Sequence, residues 1–164
     1  MSKPTRWLAG VVVAAMALVA FSAGVVGAKP KPGGKKDSGV IFAAITRTAN
    51  GLDYIAGTVS DKVLGAGAVT FPTKVISSPG GKITLTVKPV TSFYKDGSLS
   101  GTSAATLTLT ATGLSISGNI SETKGSGAKK GHSFVGTFTG VSLAKAPTSP
   151  LAGPFMFNYK GTYK

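Results

Sequence analysis

Apolar residues in this chain recur at every second position. Ile83, Leu85 and Val87 alternate with Thr84, Thr86 and Lys88, and Leu107 and Leu109 alternate with Thr106, Thr108 and Thr110. Further on, Leu114, Ile116 and Ile120 alternate with Ser115, Ser117, Asn119 and Ser121. A period of two places one set of side chains on each face of an extended strand. The helical period of 3.6 has no convincing instance after residue 28. The chain is therefore bound to fold as sheet, apolar on one face and rich in Thr and Ser on the other, where a β-branched side chain suits the pleat.

Turn signals divide these runs at short intervals. Val40–Thr48 and Leu52–Ser60 flank Asn50-Gly51, a pair that tolerates positive φ and marks a tight hairpin. Two short runs follow, Ala66–Phe71 and Lys74–Ser77, and then Ser78-Pro79-Gly80-Gly81 makes a turn. Ser92 to Gly97 and Thr123 to Gly131 read as loops, and a last loop holds Pro147, Pro150 and Pro154. Seven to nine strands in this spacing indicate an antiparallel β-barrel, with a β-sandwich as the alternative. The pair Gly-Thr begins at Gly57, Gly101, Gly136 and Gly161. Glycines inside strands mark places where a sheet bends, which favours the barrel. The final strand carries Phe155, Phe157 and Tyr159 on one side and is expected to pair with an early strand and close the structure.

Ahead of these strands, Lys3 and Arg6 precede an uncharged run from Leu8 to Ala28 that ends in Val26-Gly27-Ala28. A positive start, an apolar middle and small residues at a cleavage site describe a secretory signal. The alternative is an uncleaved membrane anchor over 8–28, because about 20 apolar residues span a bilayer. The expected organisation is a signal over 1–28, a flexible tether over 29–39 rich in Lys, Pro and Gly, and a single β domain over 40–164. The product would be secreted, periplasmic or held at the cell surface. The chain has no cysteine, so it has no disulfide, thiolate ligand or lipidation site. An exported chain of this kind fits a bacterial origin.

The charge is lopsided, with 18 Lys and Arg against five acids and a formal net charge of +13. Loss of Lys3 and Arg6 with the signal lowers it to +11. After residue 28 every basic residue but Arg47 is Lys, a point charge on a flexible stem that suits diffuse attraction better than bidentate readout. Lys29, Lys31, Lys35, Lys36, Lys124, Lys129 and Lys130 are the candidate polyanion-binding residues. The expected partners are anionic envelope polymers or lipid headgroups. Sequence-specific nucleic acid is not expected, because these lysines lie in segments without the aromatic platforms that stack bases.

Catalytic signals are sparse. His132 is the only histidine, and no Gly-x-Ser-x-Gly elbow occurs. One His, no Cys and five scattered acids do not compose a metal site, and no cofactor is expected. Asp53 reads as an outward residue after the hairpin, Asp61 as the start of the Asp61-Lys62 turn, and Asp96-Gly97 as a turn pair. No residue is assigned a catalytic role. Were the protein an enzyme, Asp53 beside Tyr54 or Glu122 beside His132 would be the first suspects. Phe93, Tyr94, Phe134, Phe138, Phe155 and Phe157 are the candidate ligand-binding residues, the first two as exposed loop aromatics.

The stretches GTVSDKVLGAGAVTF (57–71), SFVGTFTG (133–140) and FMFNYKGTY (155–163) resemble small secreted calycin-type barrels. They are similar in particular to the allene-oxide-cyclase-like and dirigent-like barrels, over most of 40–164. The resemblance implies a cup-shaped barrel able to hold a small apolar molecule, and no functional residue of those families maps onto this chain. The expected function is an exported, non-enzymatic binding protein. A cyclase- or isomerase-like enzyme with a barrel pocket is one alternative. A structural envelope protein that associates edge to edge is another.

Overall fold

A computed structural model describes residues 33–77, 82–110, 113–143 and 153–164. The segment expected to be a signal or anchor, the first part of the tether, the turn at 78–81 and most of the last loop lie outside the described residues. The chain forms eight strands: β1 (Lys35–Ala49), β2 (Leu52–Asp61), β3 (Gly65–Ser77), β4 (Lys82–Tyr94), β5 (Gly97–Thr110), β6 (Gly113–Gly127), β7 (Phe134–Ser142) and β8 (Phe155–Tyr163). Each is antiparallel to its neighbour in sequence, and β8 closes on β1 to complete a barrel. The antiparallel barrel expected from the alternation is thus the observed fold.

The period of two is what sorts inside from outside. Ile83, Leu85 and Val87 of β4 are buried, as are Leu114, Ile116 and Ile120 of β6, while the Ser and Thr between them face out. On the closing strand Phe155, Phe157 and Tyr159 point inward. Asn50 and Gly51 form the first hairpin with φ of 54° and 71°, the left-handed region that asparagine tolerates and that glycine, with no Cβ, enters freely.

Several boundaries differ from the sequence reading, always towards longer strands. The tether expected over 29–39 is cut short because β1 begins at Lys35, paired with Tyr163. Asp37 and Gly39 continue the inward series of Ile41 and Ala43, so pairing runs on past the last apolar side chain. The two runs around Pro72 fuse into one β3, whose pairing with β4 slips between Thr70 and Thr73. The expected loop from Ser92 to Gly97 contracts to the turn Lys95-Asp96, and Thr123 to Gly127 belong to β6. Backbone pairing between β5 and β6 runs down to Gly97 and Gly127, with Leu99 buried on the β5 side.

The barrel has two unlike ends. The upper end carries the β1–β2 hairpin, the ends of β3, β5 and β7 and the starts of β4, β6 and β8. The lower end carries the start of β1, the turns at 62–64 and 95–96, the loop 128–133 and the C-terminus. A closed ladder leaves no strand edge, so edge-to-edge assembly loses the feature it needs.

Candidate functional site

The upper half of the interior holds a cavity of about 60 Å³ whose wall is almost wholly apolar. Phe157 lines it and touches three other rings of its wall. Phe71 meets it edge-on at 6.2 Å between centroids, and Phe138 does the same at 5.8 Å. Phe155 packs beside it at 6.0 Å. Ala105 and Leu107 of β5, with Val69, Leu85 and Val87, complete much of the wall. Such edge-to-face contacts fix ring positions, so the free space is a defined shape rather than slack packing.

Below the cavity the interior changes character. Asp37, Asp61 and Glu122 are all buried, together with Ser92. Each lies on its strand's inward parity: Asp37 precedes Gly39 and Ile41, Asp61 follows Val59, and Glu122 follows Ile120. Tyr159 links this group to the cavity above. Its Cα neighbour across β1 is Gly39, which in turn pairs with Asp61. Glycine is required there, because a Cβ on Gly39 would collide with the Tyr159 ring and hydroxyl. Through that gap the Tyr159 hydroxyl donates a short hydrogen bond to Asp61 Oδ2. Asp61 Oδ1 accepts from the backbone N–H groups of Val63 and Leu64, both at 2.7 Å, so the residue also shapes the turn assigned to it from sequence.

Glu122 Oε1 accepts a hydrogen bond from Ser92 Oγ at 2.7 Å. Burial is the main force pushing its carboxyl up to about 7, and Ser92 opposes this only in part. Asp37 is pushed up to about 6, first by burial and then by the neighbouring Asp61. Its Oδ1 accepts from the N–H of Ser38, while its buried Oδ2 has no hydrogen-bond partner. A proton on Asp37, directed to Asp61, supplies the missing bond and keeps the two carboxylates from facing each other charged. Burial likewise raises the Tyr94 and Tyr159 phenols, with nearby acids adding to it, so both stay neutral donors. A gap of about 10 Å³, bordered by Asp61, Ser92, Tyr94, Glu122 and Tyr159, separates these groups. Ile41, Ile120 and Tyr159 border both spaces.

The sequence-derived candidates fall in different places. Phe138, Phe155 and Phe157 line the cavity. Phe134 sits at the lower end, edge-on to Tyr159 at 5.5 Å. Phe93 and Tyr94 are strand residues rather than loop residues and so face opposite ways: Tyr94 borders the acid cluster, and Phe93 lies on the outer wall at 46% exposure, away from either space. Glu122 and His132 are not partners. His132 stacks on Tyr163 at 5.2 Å, and its Nδ1 lies 2.9 Å from the Lys164 carbonyl oxygen. Asp53 accepts from Thr48 Oγ1 at the surface, and the ring of Tyr54 carries the Arg47 guanidinium at 4.0 Å.

Lys29 and Lys31 lie outside the described residues. Lys35, Lys36, Lys124 and Lys130 are exposed at the lower end, where Lys62, Lys95 and Lys160 join them. Lys129 differs, being tied to Asp96 Oδ1 at 3.0 Å. Among the described residues no group of acids and histidines is placed to hold a metal ion. Comparison with protein-family models, with curated proteins and with solved structures finds no match for this chain.

A carboxyl with a raised pKa binds its proton more tightly folded than unfolded, so stability falls as pH climbs from the unfolded to the folded value. For Glu122 that window runs from 4.5 to about 7. Glu122→Gln is expected to remove a loss of about 3 kcal/mol across it. Urea unfolding from pH 4 to pH 8 checks this; the slope remaining in the variant should end near pH 6, where Asp37 has titrated. Equal slopes in the two proteins would exclude a buried, proton-holding Glu122.

Proposed function

We propose that this protein is an exported binding barrel that takes a compact apolar molecule into its upper half and rests against anionic surfaces with its lower end. The observation that carries the reading is the cavity around Phe157: a closed barrel of this size can fill its interior with side chains, and this one leaves an apolar space unfilled. The likeness to calycin-type barrels points the same way. Gathering of Lys35, Lys36, Lys62, Lys95, Lys124 and Lys130 at one end supports the second half of the proposal.

Xenon, followed by shifts in the methyl NMR signals of Leu85 and Leu107, tests the cavity. Ala105→Leu puts a larger side chain on its wall and is expected to weaken xenon binding about tenfold or more while the protein still unfolds cooperatively. Xenon that leaves those signals unmoved in the wild type would remove the ligand from the proposal. Vesicles containing phosphatidylglycerol test the lower end. Retention should be strong at about 0.05 M salt and largely lost at about 0.5 M, as screening shortens the reach of surface charge. Replacing Lys35, Lys36, Lys124 and Lys130 by Gln should have the same effect as salt. Retention that ignores both would make the charge a solubility device.

One observation favours a second reading, an acid–base isomerase or cyclase. Glu122 holds a proton near neutral pH beside a space that shares Tyr159 with the cavity, and a catalytic group works best with a pKa near the working pH. Under this reading Glu122→Gln abolishes turnover of a cyclisable apolar substrate yet leaves xenon affinity within about twofold. Undiminished turnover in that variant rules the reading out.

A further inference from the structure

Three hydroxyl-bearing side chains border the apolar cavity, on Thr73, Ser103 and Tyr159. Two are committed elsewhere. The Tyr159 hydroxyl donates to Asp61, and Ser103 Oγ donates to the Asn119 carbonyl at 2.8 Å. Thr73 is different: it is 2% exposed, and its Oγ1 is buried with no hydrogen-bond partner. Valine has the same shape and would avoid the penalty of a buried hydroxyl left unpaired. Thr73 pairs across the sheet with Val87 on one side and Asp53 on the other, yet neither accepts from its hydroxyl, and Val69 and Phe71 share its strand.

Water is a poor answer to this unpaired group. A buried water needs two to four polar partners, and besides Thr73 the side chains of this wall offer it only spare lone pairs on Ser103 and Tyr159, whose protons already go to the Asn119 carbonyl and Asp61. An organic oxygen is a better answer, because the body attached to it can cover the apolar wall at the same time. A charged group is excluded by the same surroundings, which contain nothing to compensate it. The size of the space limits the body to a compact one.

We infer that the ligand of this cavity is a small, neutral, largely hydrocarbon molecule carrying one hydroxyl or carbonyl oxygen, and that Thr73 Oγ1 is the group that binds this oxygen. The inference rests on the reading of the barrel as a ligand-binding protein and specifies what it selects. Thr73 acts as a specificity residue: it discriminates oxygenated from plain hydrocarbons of the same size.

The test uses the full chain and two probes small enough for the space and matched to each other, 2-propanol and 2-methylpropane, with affinities taken from methyl NMR titration at Leu85 and Leu107. The quantity read is the ratio of the two dissociation constants. Thr73→Val is expected to shift that ratio against 2-propanol by about fivefold, the worth of one neutral hydrogen bond. 2-Methylpropane should bind the variant at least as well as before. Thr73→Ser, which keeps the hydroxyl, should retain the wild-type ratio, and it guards against a change of packing being mistaken for a lost bond. An unchanged ratio in Thr73→Val, with both probes still bound, overturns the role of Thr73 and leaves the apolar cavity standing. Failure of both probes to bind the wild type overturns the ligand reading and this inference with it.

Discussion

The pairing of β8 with β1 is the interaction on which the rest of this structure depends. It runs from Lys35 opposite Tyr163 to Ala43 opposite Phe155, and it turns a meander with two long edges into a closed wall. Closure satisfies the outer backbone groups of both strands at once. It also defines an interior, because only in a closed sheet does the inward parity of every strand converge on one axis. Phe155, Phe157 and Tyr159 reach the centre from this last strand, and the Tyr159 bond to Asp61 passes over the seam itself, through the gap at Gly39. Cavity and acid cluster are both consequences of that one ladder.

Burial of the acids changes what the protein shows to its surroundings. The chain has five acids, and three of them, Asp37, Asp61 and Glu122, are inside. Of the remaining two, Asp96 is engaged by Lys129, and Asp53 is at the other end of the barrel. Almost no negative charge is left on the lower outer surface to offset Lys35, Lys36, Lys62, Lys95, Lys124 and Lys130. The surface there is more cationic than composition alone implies, which strengthens the proposal of an anionic partner. Inside, the withdrawal from water pushes Glu122 and Asp37 towards their neutral forms, and this lessens the cost of enclosing them.

The fold was readable because alternation and turn chemistry are local. Ile83-Leu85-Val87, Leu114-Ile116-Ile120 and Asn50-Gly51 each declare their state within a few residues. The site was not readable in the same way. Phe138, Phe155 and Phe157 could be named from bulk and parity, but Asp61 looked like a turn residue, which it also is. Asp37 sat among lysines, prolines and glycines with no apolar neighbour to suggest a strand. The signal that existed was parity: continuing Ile55-Gly57-Val59 by two reaches Asp61, and continuing Ile116-Gly118-Ile120 reaches Glu122. Applying it requires knowing how far each strand runs, and strand length at the lower end is set by pairing partners distant in sequence. Thr73 was hidden for a related reason. Thr lines most outer faces here, and this one stood between two runs read as separate, so the inward parity of Val69 and Phe71 was not carried on to it.

Two polar features therefore bracket one apolar space. Thr73 lies on the upper wall, and Tyr159 with its acids lies below. A molecule bearing a single oxygen has to choose between them. With the oxygen up, it meets a neutral hydroxyl, rests its hydrocarbon body on Phe157, and encounters no group able to move a proton; that arrangement is binding. With the oxygen down, it meets the Tyr159 phenol, one side chain removed from Glu122 and Asp61, in surroundings dry enough to hold a carboxyl proton near neutral pH; that arrangement is acid–base chemistry. The binding and catalytic readings thus differ less in the protein than in the orientation of what enters it. The unpaired Thr73 hydroxyl tips the balance to binding: both its proton and its lone pairs are free, whereas Tyr159, its proton given to Asp61, has only a lone pair to offer an incoming oxygen.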